Sequence, residues 1–232
     1  IITRALERKD VMIVMRDPSL LGLLDARHWT GRVESSPQDE LMVVDANLAA
    51  LKTDGVMDKR MTYRADFSDP SQPMATLTLT YRNTNKHFSW RYTRYRDYVR
   101  VYVPEGSELI SSEGAMLNDR TKTGGRVVPG NVDVFHDLGK TVFGAFWAIE
   151  PGETRSLRLS YRLPTSIVRP DAYTLLVQRQ PGSNTRLTLD LNFGKKLMMA
   201  NPPEDSEEHG DSYYRIMLPL TRNRVFEVKT ER

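Results

Sequence analysis

The sequence contains no cysteine, which excludes disulfide bonds, cysteine nucleophiles and cysteine-ligated metal sites. Histidine is scarce, and His28, His87, His136 and His209 are too far apart for the spacing of a helical zinc site, so we predict no metal. No apolar run approaches the ~20 residues that a membrane-spanning helix needs. The 33 basic and 30 acidic residues leave a net charge of +3, which is too small to predict a nucleic-acid binder.

Complete catalytic and cofactor motifs are also missing. Gly139-Lys140-Thr141 resembles the end of a phosphate-binding loop, but Val134 stands where the first glycine of that loop is needed. The surrounding residues Val132–Trp147 predict two strands around a turn, so no loop-to-helix cradle for phosphate is expected. The serine-hydrolase pattern G-x-S-x-G does not occur. We therefore predict no cofactor and favour a non-enzymatic role, although spacing along the chain does not tell which carboxylates meet in space.

From about residue 60 onward, apolar and polar residues alternate with a period of two in one segment after another. This alternation is typical of strands that bury one face and expose the other. Turn signals rich in proline and glycine separate the segments. The sequence predicts a mainly β fold, an antiparallel immunoglobulin-like β-sandwich, with a closed barrel as the competing architecture. The positions predicted to face the core include Met61, Tyr63, Ala65, Phe67, Leu77, Leu79, Tyr81, Val99, Val101, Val103, Leu157, Leu159, Tyr161, Leu187, Leu189, Leu191, Phe193, Ile216, Leu218, Phe226 and Val228.

The N-terminal part of the chain has a different pattern, in which apolar runs flank a helical stretch. Val11–Met15 and Leu41–Val44 are short continuous apolar runs, which favour strands buried on both faces. Between them, Asp17-Pro18 is a helix start, because the carboxylate can accept hydrogen bonds from free backbone N–H groups and proline fits the first turn. The pattern predicts a strand–helix–strand unit with parallel strands.

These patterns divide the chain into two predicted parts. Residues 1–58 form a short α/β segment that is too small to close its own core, and residues 59–232 form the β-sandwich domain. The chain begins at Ile1 with apolar residues at helical spacing. We interpret the first segment as the end of an upstream domain that has been truncated.

The most unusual local composition lies in residues 86–102, where aromatic and basic residues alternate. Arginine planes and aromatic rings stack on sugars or bases and hold anionic groups. The alternative is a strand with tyrosine and arginine on its solvent face. An anionic glycan, an anionic lipid surface or a partner protein is favoured over nucleic acid, because the chain as a whole is nearly neutral. The candidate ligand-binding residues here are Trp90, Tyr92, Arg94, Tyr95 and Arg96.

A second candidate group follows the predicted strand at Leu41–Val44 and consists of Asp45, Asn47, Lys52 and Asp54. Residues at the ends of buried strands often contact ligands. A calcium-binding EF-hand loop is excluded, because alanine occupies both positions where an oxygen ligand and a glycine are required. The favoured interpretation is that Asp45 and Asn47 satisfy backbone groups in the turn after the strand.

Several stretches together resemble one family of bacterial proteins. They are an aspartate-rich segment at Val43–Asp54, an aromatic and arginine-rich strand at Tyr95–Gly106, and three shorter pieces at Gly139–Gly144, Pro151–Thr154 and Leu175–Gly182. These features are similar to the C-terminal half of proteins in the domain-of-unknown-function 4012 family. The resemblance extends over about residues 5–182.

The resemblance implies an extracytoplasmic, cell-surface protein with an N-terminal membrane anchor. It also implies an upstream domain similar to the LytR-CpsA-Psr group, which transfers glycopolymers from lipid carriers to the cell wall. The part of that domain that binds pyrophosphate would precede Ile1, so no catalytic residue is carried across.

We therefore expect a non-catalytic cell-envelope module that binds a partner protein or an anionic wall polymer. We expect no contact with nucleic acid, and membrane contact only through the upstream anchor. The alternative is the accessory half of an envelope glycopolymer transferase. Its site would be bordered by the four polar residues Asp45, Asn47, Lys52 and Asp54.

Overall fold

The computed structural model describes residues 2–49, 51–204 and 210–231, and these form a mainly β protein, as predicted. Two short α-helices precede the first strand: α1 (Ile2–Glu7) and α2 (Pro18–Ala26). Neither helix in the described ranges is long and apolar enough to span a membrane. The strands are β1 (Asp39–Asn47), β2 (Met57–Asp66), β3 (Met74–Asn83), β4 (Tyr95–Pro104), β5 (Glu108–Glu113), β6 (Val132–Asp137), β7 (Lys140–Ile149), β8 (Thr154–Arg162), β9 (Ala172–Gln178), β10 (Thr185–Asn192), β11 (Leu197–Asn201), β12 (Tyr213–Leu220) and β13 (Arg224–Thr230). Single 3₁₀ turns lie at Thr53–Val56 and Thr165–Ile167.

The strands form two sheets. The seven-stranded sheet has the order β11-β13-β9-β1-β4-β7-β6, and the six-stranded sheet has the order β12-β10-β2-β3-β8-β5. Most neighbours are antiparallel, but β1 pairs with β9 and β2 pairs with β10 in parallel. The antiparallel immunoglobulin-like sandwich is therefore not confirmed. Alternation along a strand defines its buried face and carries no information on the direction of its neighbour.

The core lies between the two sheets, and the period-two pattern identified about half of its buried residues. Of the inward positions named above, all are buried except Ile216 and Leu218 of β12, which are half-buried and pack against the core. Aromatic rings of opposite sheets meet there: Tyr81 of β3 lies 4.8 Å from Trp147 of β7, and Tyr161 of β8 lies 5.3 Å from Phe143 of β7, measured between ring centroids. This packing joins the two sheets through large apolar surfaces.

The prediction of a buried strand at Val11–Met15 is wrong. This segment has no regular secondary structure, and Val14 is 80% exposed. Its backbone is attached to the following segment by a hydrogen bond from the N–H of Ile13 to the carbonyl of Trp29 (3.1 Å). Short apolar runs are ambiguous signals, because five residues carry no period long enough to identify a structure. The helix start is confirmed, since Asp17 Oδ1 accepts from two N–H groups at the start of α2.

The second apolar run, Leu41–Val44, does form a strand and lies within β1. Leu41 is almost fully buried. The strand pairs with β4 and β9 and not with the preceding segment, so the predicted parallel strand–helix–strand unit is wrong. β1 is the central strand of the seven-stranded sheet, although it lies N-terminal to the predicted boundary at residue 58. The division into two domains stays a prediction.

Both sheets end on the same side of the molecule, which we call the loop end. Here β1 ends at Asn47, β2 begins at Met57, β3 ends at Asn83, β4 begins at Tyr95 and β9 ends at Gln178. The segments that connect these strands are therefore neighbours in space. Both groups of residues singled out from the sequence lie at this end.

Candidate functional site

At the loop end, a lysine and three aspartates from four elements meet in the interior. Lys59 Nζ lies 2.8 Å from Asp45 Oδ2 and 3.4 Å from Asp54 Oδ1. The side chains of Lys59 and Asp45 are about 95% buried, whereas that of Asp54 is half exposed. Asp97 is completely buried nearby. We call Asp45, Asp54, Lys59 and Asp97 the carboxylate cluster.

Burial and neighbouring charges shift the pKa values of Lys59 and of its half-exposed partner Asp54 in opposite directions. Burial is the largest single effect on the Lys59 ammonium and disfavours it, but the combined attraction of Asp45, Asp54 and Asp97 outweighs burial and raises the pKa of Lys59. Burial also opposes ionisation of Asp54, yet hydrogen bonds from Tyr95 and Lys59 lower its pKa. Lys59 is therefore a permanent cation that neutralises part of the charge of its two aspartate neighbours.

Asp97 differs from the other two aspartates because it is held as the neutral acid. Burial and the adjacent Asp45 carboxylate raise its pKa well above the usual range. Its Oδ2 accepts a hydrogen bond from Trp147 Nε1 (2.8 Å), while its Oδ1 is buried and receives no hydrogen bond from the described residues. A proton on Asp97 that bonds to Asp45 satisfies this oxygen and removes the repulsion between the two carboxyl groups.

Two tyrosines complete the cluster. The hydroxyl of Tyr81 donates to Asp45 Oδ1 (2.9 Å), and the hydroxyl of Tyr95 donates to Asp54 Oδ1 (2.8 Å). Lys59 Nζ also lies 5.2 Å and 4.9 Å from the centroids of these two rings, within cation–π range. The cluster borders a cavity of about 300 Å³ at the loop end.

The other two members of the predicted polar group, Asn47 and Lys52, differ in whether they contact the carboxylate cluster. Asn47 joins the cluster, because its Nδ2 donates to Asp54 Oδ2 (2.8 Å). Its Oδ1 accepts from the N–H of Ala49, which is the backbone role expected for a turn residue. The Lys52 side chain is exposed and forms no ion pair with the cluster in the described part of the chain. The structure thus brings Asp45, Asn47 and Asp54 together and leaves Lys52 outside.

The second candidate group lies mostly in the segment 84–94, which we call the aromatic loop. A tight turn at its tip is held by the N–H of Ser89, which donates to the carbonyl of Tyr92 (2.8 Å), and by the N–H of Tyr92, which donates to Ser89 Oγ (2.9 Å). Trp90 is at the tip of this turn and is 87% exposed. Arg91 is exposed beside it, and its guanidinium lies 5.5 Å from the ring centroid of Tyr92.

Of the five predicted residues of this group, two do not form a common surface with Trp90. Tyr95 points inward and belongs to the carboxylate cluster. Arg96 points to the outer face of the seven-stranded sheet, where it forms an ion pair with Asp119. Arg94 stays at the aromatic loop and is paired with Glu150 (2.9 Å). Successive side chains of a strand point to opposite faces, which separates Tyr95 from Arg96.

The segment 48–56, of which the structure describes residues 48–49 and 51–56, packs beside the aromatic loop and enlarges its surface. The N–H of Lys52 donates to the carbonyl of Arg91 (3.1 Å), and the N–H of Thr93 donates to Thr53 Oγ1 (3.2 Å). The combined surface carries four exposed apolar side chains and three exposed cations without an ion pair in the described part of the chain. These are Leu48, Leu51, Phe88 and Trp90, and Lys52, Lys86 and Arg91.

Sequence reasoning missed Lys59, Asp97 and Phe88. A signal for the first two was present, because each occupies an inward position of an alternating strand. Lys59 lies between the inward residues Met57 and Met61, and Asp97 lies between the inward residues Tyr95 and Val99. A charged residue in such a position must find a partner in the core. No comparable signal marks Phe88, whose exposure depends on how the loop folds.

The described residues contain no group of three or more side chains arranged to hold a metal ion. No family model and no curated protein matches the chain. Among solved structures, a Legionella pneumophila protein provisionally assigned as nutrient-binding is similar, with 9% identity and a TM-score of 0.43; the alignment covers 83% of this chain and 71% of that one. An M1 zinc metallopeptidase from Deinococcus radiodurans matches with 12% identity and a TM-score of 0.31, over 75% of this chain and 42% of its own. Similarity this low has no bearing on activity.

Proposed function

We propose that this protein is a non-catalytic binding module of the bacterial cell envelope, and that the surface formed by segments 48–56 and 84–94 binds an anionic wall polymer. The observation that carries the proposal is the nearly complete exposure of Trp90 at the tip of a loop held by backbone hydrogen bonds. The extracytoplasmic location rests on the resemblance in sequence.

The rigidity of the aromatic loop supports a binding role. Removing a large aromatic side chain from water lowers the free energy, and for an exposed side chain this gain is realised only when another molecule covers it. Hydrogen bonds at Lys52, Thr84 and Thr93 tie the loop to segment 48–56, so little conformational entropy is lost when a ligand binds. Such a preorganised aromatic side chain is typical of an interaction hot spot.

The chemistry of the surface favours an anionic glycan over an apolar partner. The rings of Phe88 and Trp90 provide flat apolar faces that can stack on the apolar faces of sugar rings. Lys52, Lys86 and Arg91 are exposed around them without carboxylate partners in the described residues, so they are free to pair with phosphate or carboxylate groups. A polymer with repeating sugars and anionic groups satisfies both kinds of contact.

The carboxylate cluster supports a structural role for the second predicted group. The oxygens of Asp45 are occupied by Lys59 and Tyr81, and those of Asp54 by Lys59, Tyr95 and Asn47. Carboxylates bonded in this way hold the ends of two sheets together and leave few lone pairs for a substrate. This argues for the binding module and against the transferase alternative.

The experiment is a calorimetric titration of the protein with a purified anionic bacterial wall glycopolymer, in which the heat of binding gives the affinity. We expect Trp90→Ala and Arg91→Ala each to weaken binding roughly tenfold, which corresponds to about 1.4 kcal/mol. Binding by the unmodified protein should also weaken as salt concentration rises, because the cations of the surface are exposed.

Matched controls are available at the opposite end of the sandwich. Leu138 and Arg169 are exposed there, so Leu138→Ala and Arg169→Ala remove comparable groups without touching the loop end. Neutral dextran serves as the control polymer. Equal affinity of the Trp90→Ala protein and the Leu138→Ala protein would contradict the proposal, as would equal binding of dextran. Capture of an envelope protein by the same surface, with no polymer bound, would favour the partner-protein alternative.

A further inference from the structure

A second concave site lies beside the start of β13, between the N-terminal segment and the last strands. It is a cavity of about 360 Å³, lined by none of the residues of the aromatic loop. Its walls carry four basic side chains: Lys9, Arg27, Arg222 and Arg224. We call this cavity the basic pocket.

The walls of the basic pocket are fixed by buried contacts. Lys9 is almost completely buried, and its Nζ donates to the carbonyl of Thr30 (3.1 Å). Arg179, also buried, donates to the carbonyl of Arg8 and, over 2.8 Å, to the carbonyl of Ser183. The bond to Arg8 holds the N-terminal segment against the end of β9, and the bond from Lys9 to Thr30 ties two parts of that segment together, so the pocket is a built feature of the fold.

Positive charge in the pocket exceeds the negative charge that faces it. Glu34 lies 3.6 Å from Lys9 and 2.8 Å from the imidazole of His28, and Glu7 lies 3.9 Å from Arg222. Arg27 and Arg224 have no carboxylate partner among the described residues. Within residues 2–49, 51–204 and 210–231, two guanidinium groups around one cavity are therefore left without a carboxylate partner.

Arg224 is the clearest sign of a missing anion. Its Nε is buried without a hydrogen-bond partner in the described part of the chain. Burial and the neighbouring Arg222 lower its pKa, because both disfavour the charged form. Proteins rarely leave a buried N–H donor unpaired, and an unpaired one beside a second arginine costs stability in the free protein. Such a cost is common at binding sites, where a ligand removes it.

We infer that the basic pocket binds a phosphomonoester group of a small molecule or a lipid headgroup. A phosphomonoester carries nearly two negative charges near pH 7, which matches the two uncompensated guanidinium groups. Arginine binds phosphate through parallel N–H donors, a geometry that a single ammonium group does not provide. The cavity is large enough for a small organic phosphate. This site is independent of the proposed polymer-binding surface.

The experiment uses glycerol 3-phosphate as the probe and glycerate, a monoanion with the same carbon skeleton, as the matched control ligand. Binding is followed by calorimetry and by the NMR signal of the Arg224 Nε–H group. We expect glycerol 3-phosphate to bind more tightly than glycerate and to shift this signal. Arg224→Gln and Arg27→Gln should each weaken binding at least roughly tenfold, since a charge-assisted hydrogen bond is lost. Arg169→Gln should leave it unchanged.

Thermal unfolding distinguishes a ligand site from a structural arginine. Without ligand, Arg224→Gln should unfold at the same or a higher temperature, because it removes an unpaired charge beside Arg222. With glycerol 3-phosphate, the unmodified protein should be stabilised and the variant should not. A large loss of stability in Arg224→Gln without ligand would overturn the proposal. Unchanged binding in the Arg27→Gln/Arg224→Gln double variant would also overturn it.

Vesicles identify the source of the phosphate group. If vesicles containing phosphatidic acid bind and glycerol 3-phosphate does not, the pocket serves a lipid headgroup. If glycerol 3-phosphate binds and the vesicles do not, it serves a soluble phosphate. If neither ligand binds at ~1 mM, which is the weak end of specific affinity, the proposal is wrong.

Discussion

The carboxyl groups of Asp45 and Asp97 are neighbours in the interior, and this proximity favours the protonated form of Asp97. Asp97 holds its proton because burial and the neighbouring carboxylate raise its pKa. Lys59 neutralises Asp45 from the other side over 2.8 Å. These three residues of the cluster are therefore a cation, an anion and a neutral acid, and they form a buried network that joins strands β1, β2 and β4.

Asp97→Asn should preserve the free energy of unfolding at pH 7 or raise it. Asparagine keeps a donor towards Asp45 and an acceptor for Trp147 Nε1. The aspartate of the unmodified protein must hold a proton that it would release on unfolding. Because the folded-state pKa is raised, this aspartate costs more stability as pH rises above its unfolded value. Urea unfolding at pH 5 and pH 8 checks this, and a strongly destabilised variant at both pH values would show that Asp97 is ionised in the fold.

Lys59→Met should lower the free energy of unfolding by about 3–5 kcal/mol, since it leaves the buried Asp45 without its cation. Arg60→Met is the matched control. Arg60 is the next residue, points outward and forms an exposed ion pair with Asp58, so its loss should cost about 1 kcal/mol or less. Chemical denaturation of the two variants measures the difference. Equal losses would mean that Lys59 is not the partner on which Asp45 depends.

Asp39 should make stability fall as pH rises from about 4 to 6. Burial raises its pKa from 3.8 to about 6, although hydrogen bonds from Tyr173 and Tyr63 oppose this shift. The folded state therefore keeps a proton that the unfolded state has lost, and the contribution, about 3 kcal/mol, is complete below pH 4 and gone above pH 6. The measurement compares the pH dependence of unfolding in the unmodified protein and in Asp39→Asn, with Asp58→Asn as a control. An identical pH slope in the unmodified protein and Asp39→Asn would refute the assignment.

Val14→Asp should change the free energy of unfolding by less than about 0.5 kcal/mol, because Val14 is 80% exposed. Leu41→Asp, in the other apolar run, should cost more than about 3 kcal/mol, since Leu41 is 1% exposed and an unpaired charge would enter the core. Thermal melts of the two variants test the contrast. Similar losses of stability in both would show that the segment around Val14 is packed.

Only part of the carboxylate cluster at the loop end can be predicted from the sequence. Asp45 and Asn47 are among the last residues of β1, and Asp54 lies in the turn that follows, so their proximity is visible in the sequence. Lys59 belongs to a different strand, and its role depends on the meeting of β1 and β2 across the interior. Its inward position was visible in the pattern, but its partner was not, because side chains on different strands meet only through the pairing and packing of those strands.

The local pattern by itself determined that the protein is mainly β-structure and which residues form about half of its core, because alternation with a period of two depends only on neighbouring residues. Only the tertiary structure decided the order and direction of the strands, including the parallel pairings of β1 with β9 and of β2 with β10. It also decided that the aromatic loop and segment 48–56 lie together at the loop end. The physical reason is that strand pairing joins backbone groups of any sequence, so its partners depend on how the whole chain closes its core.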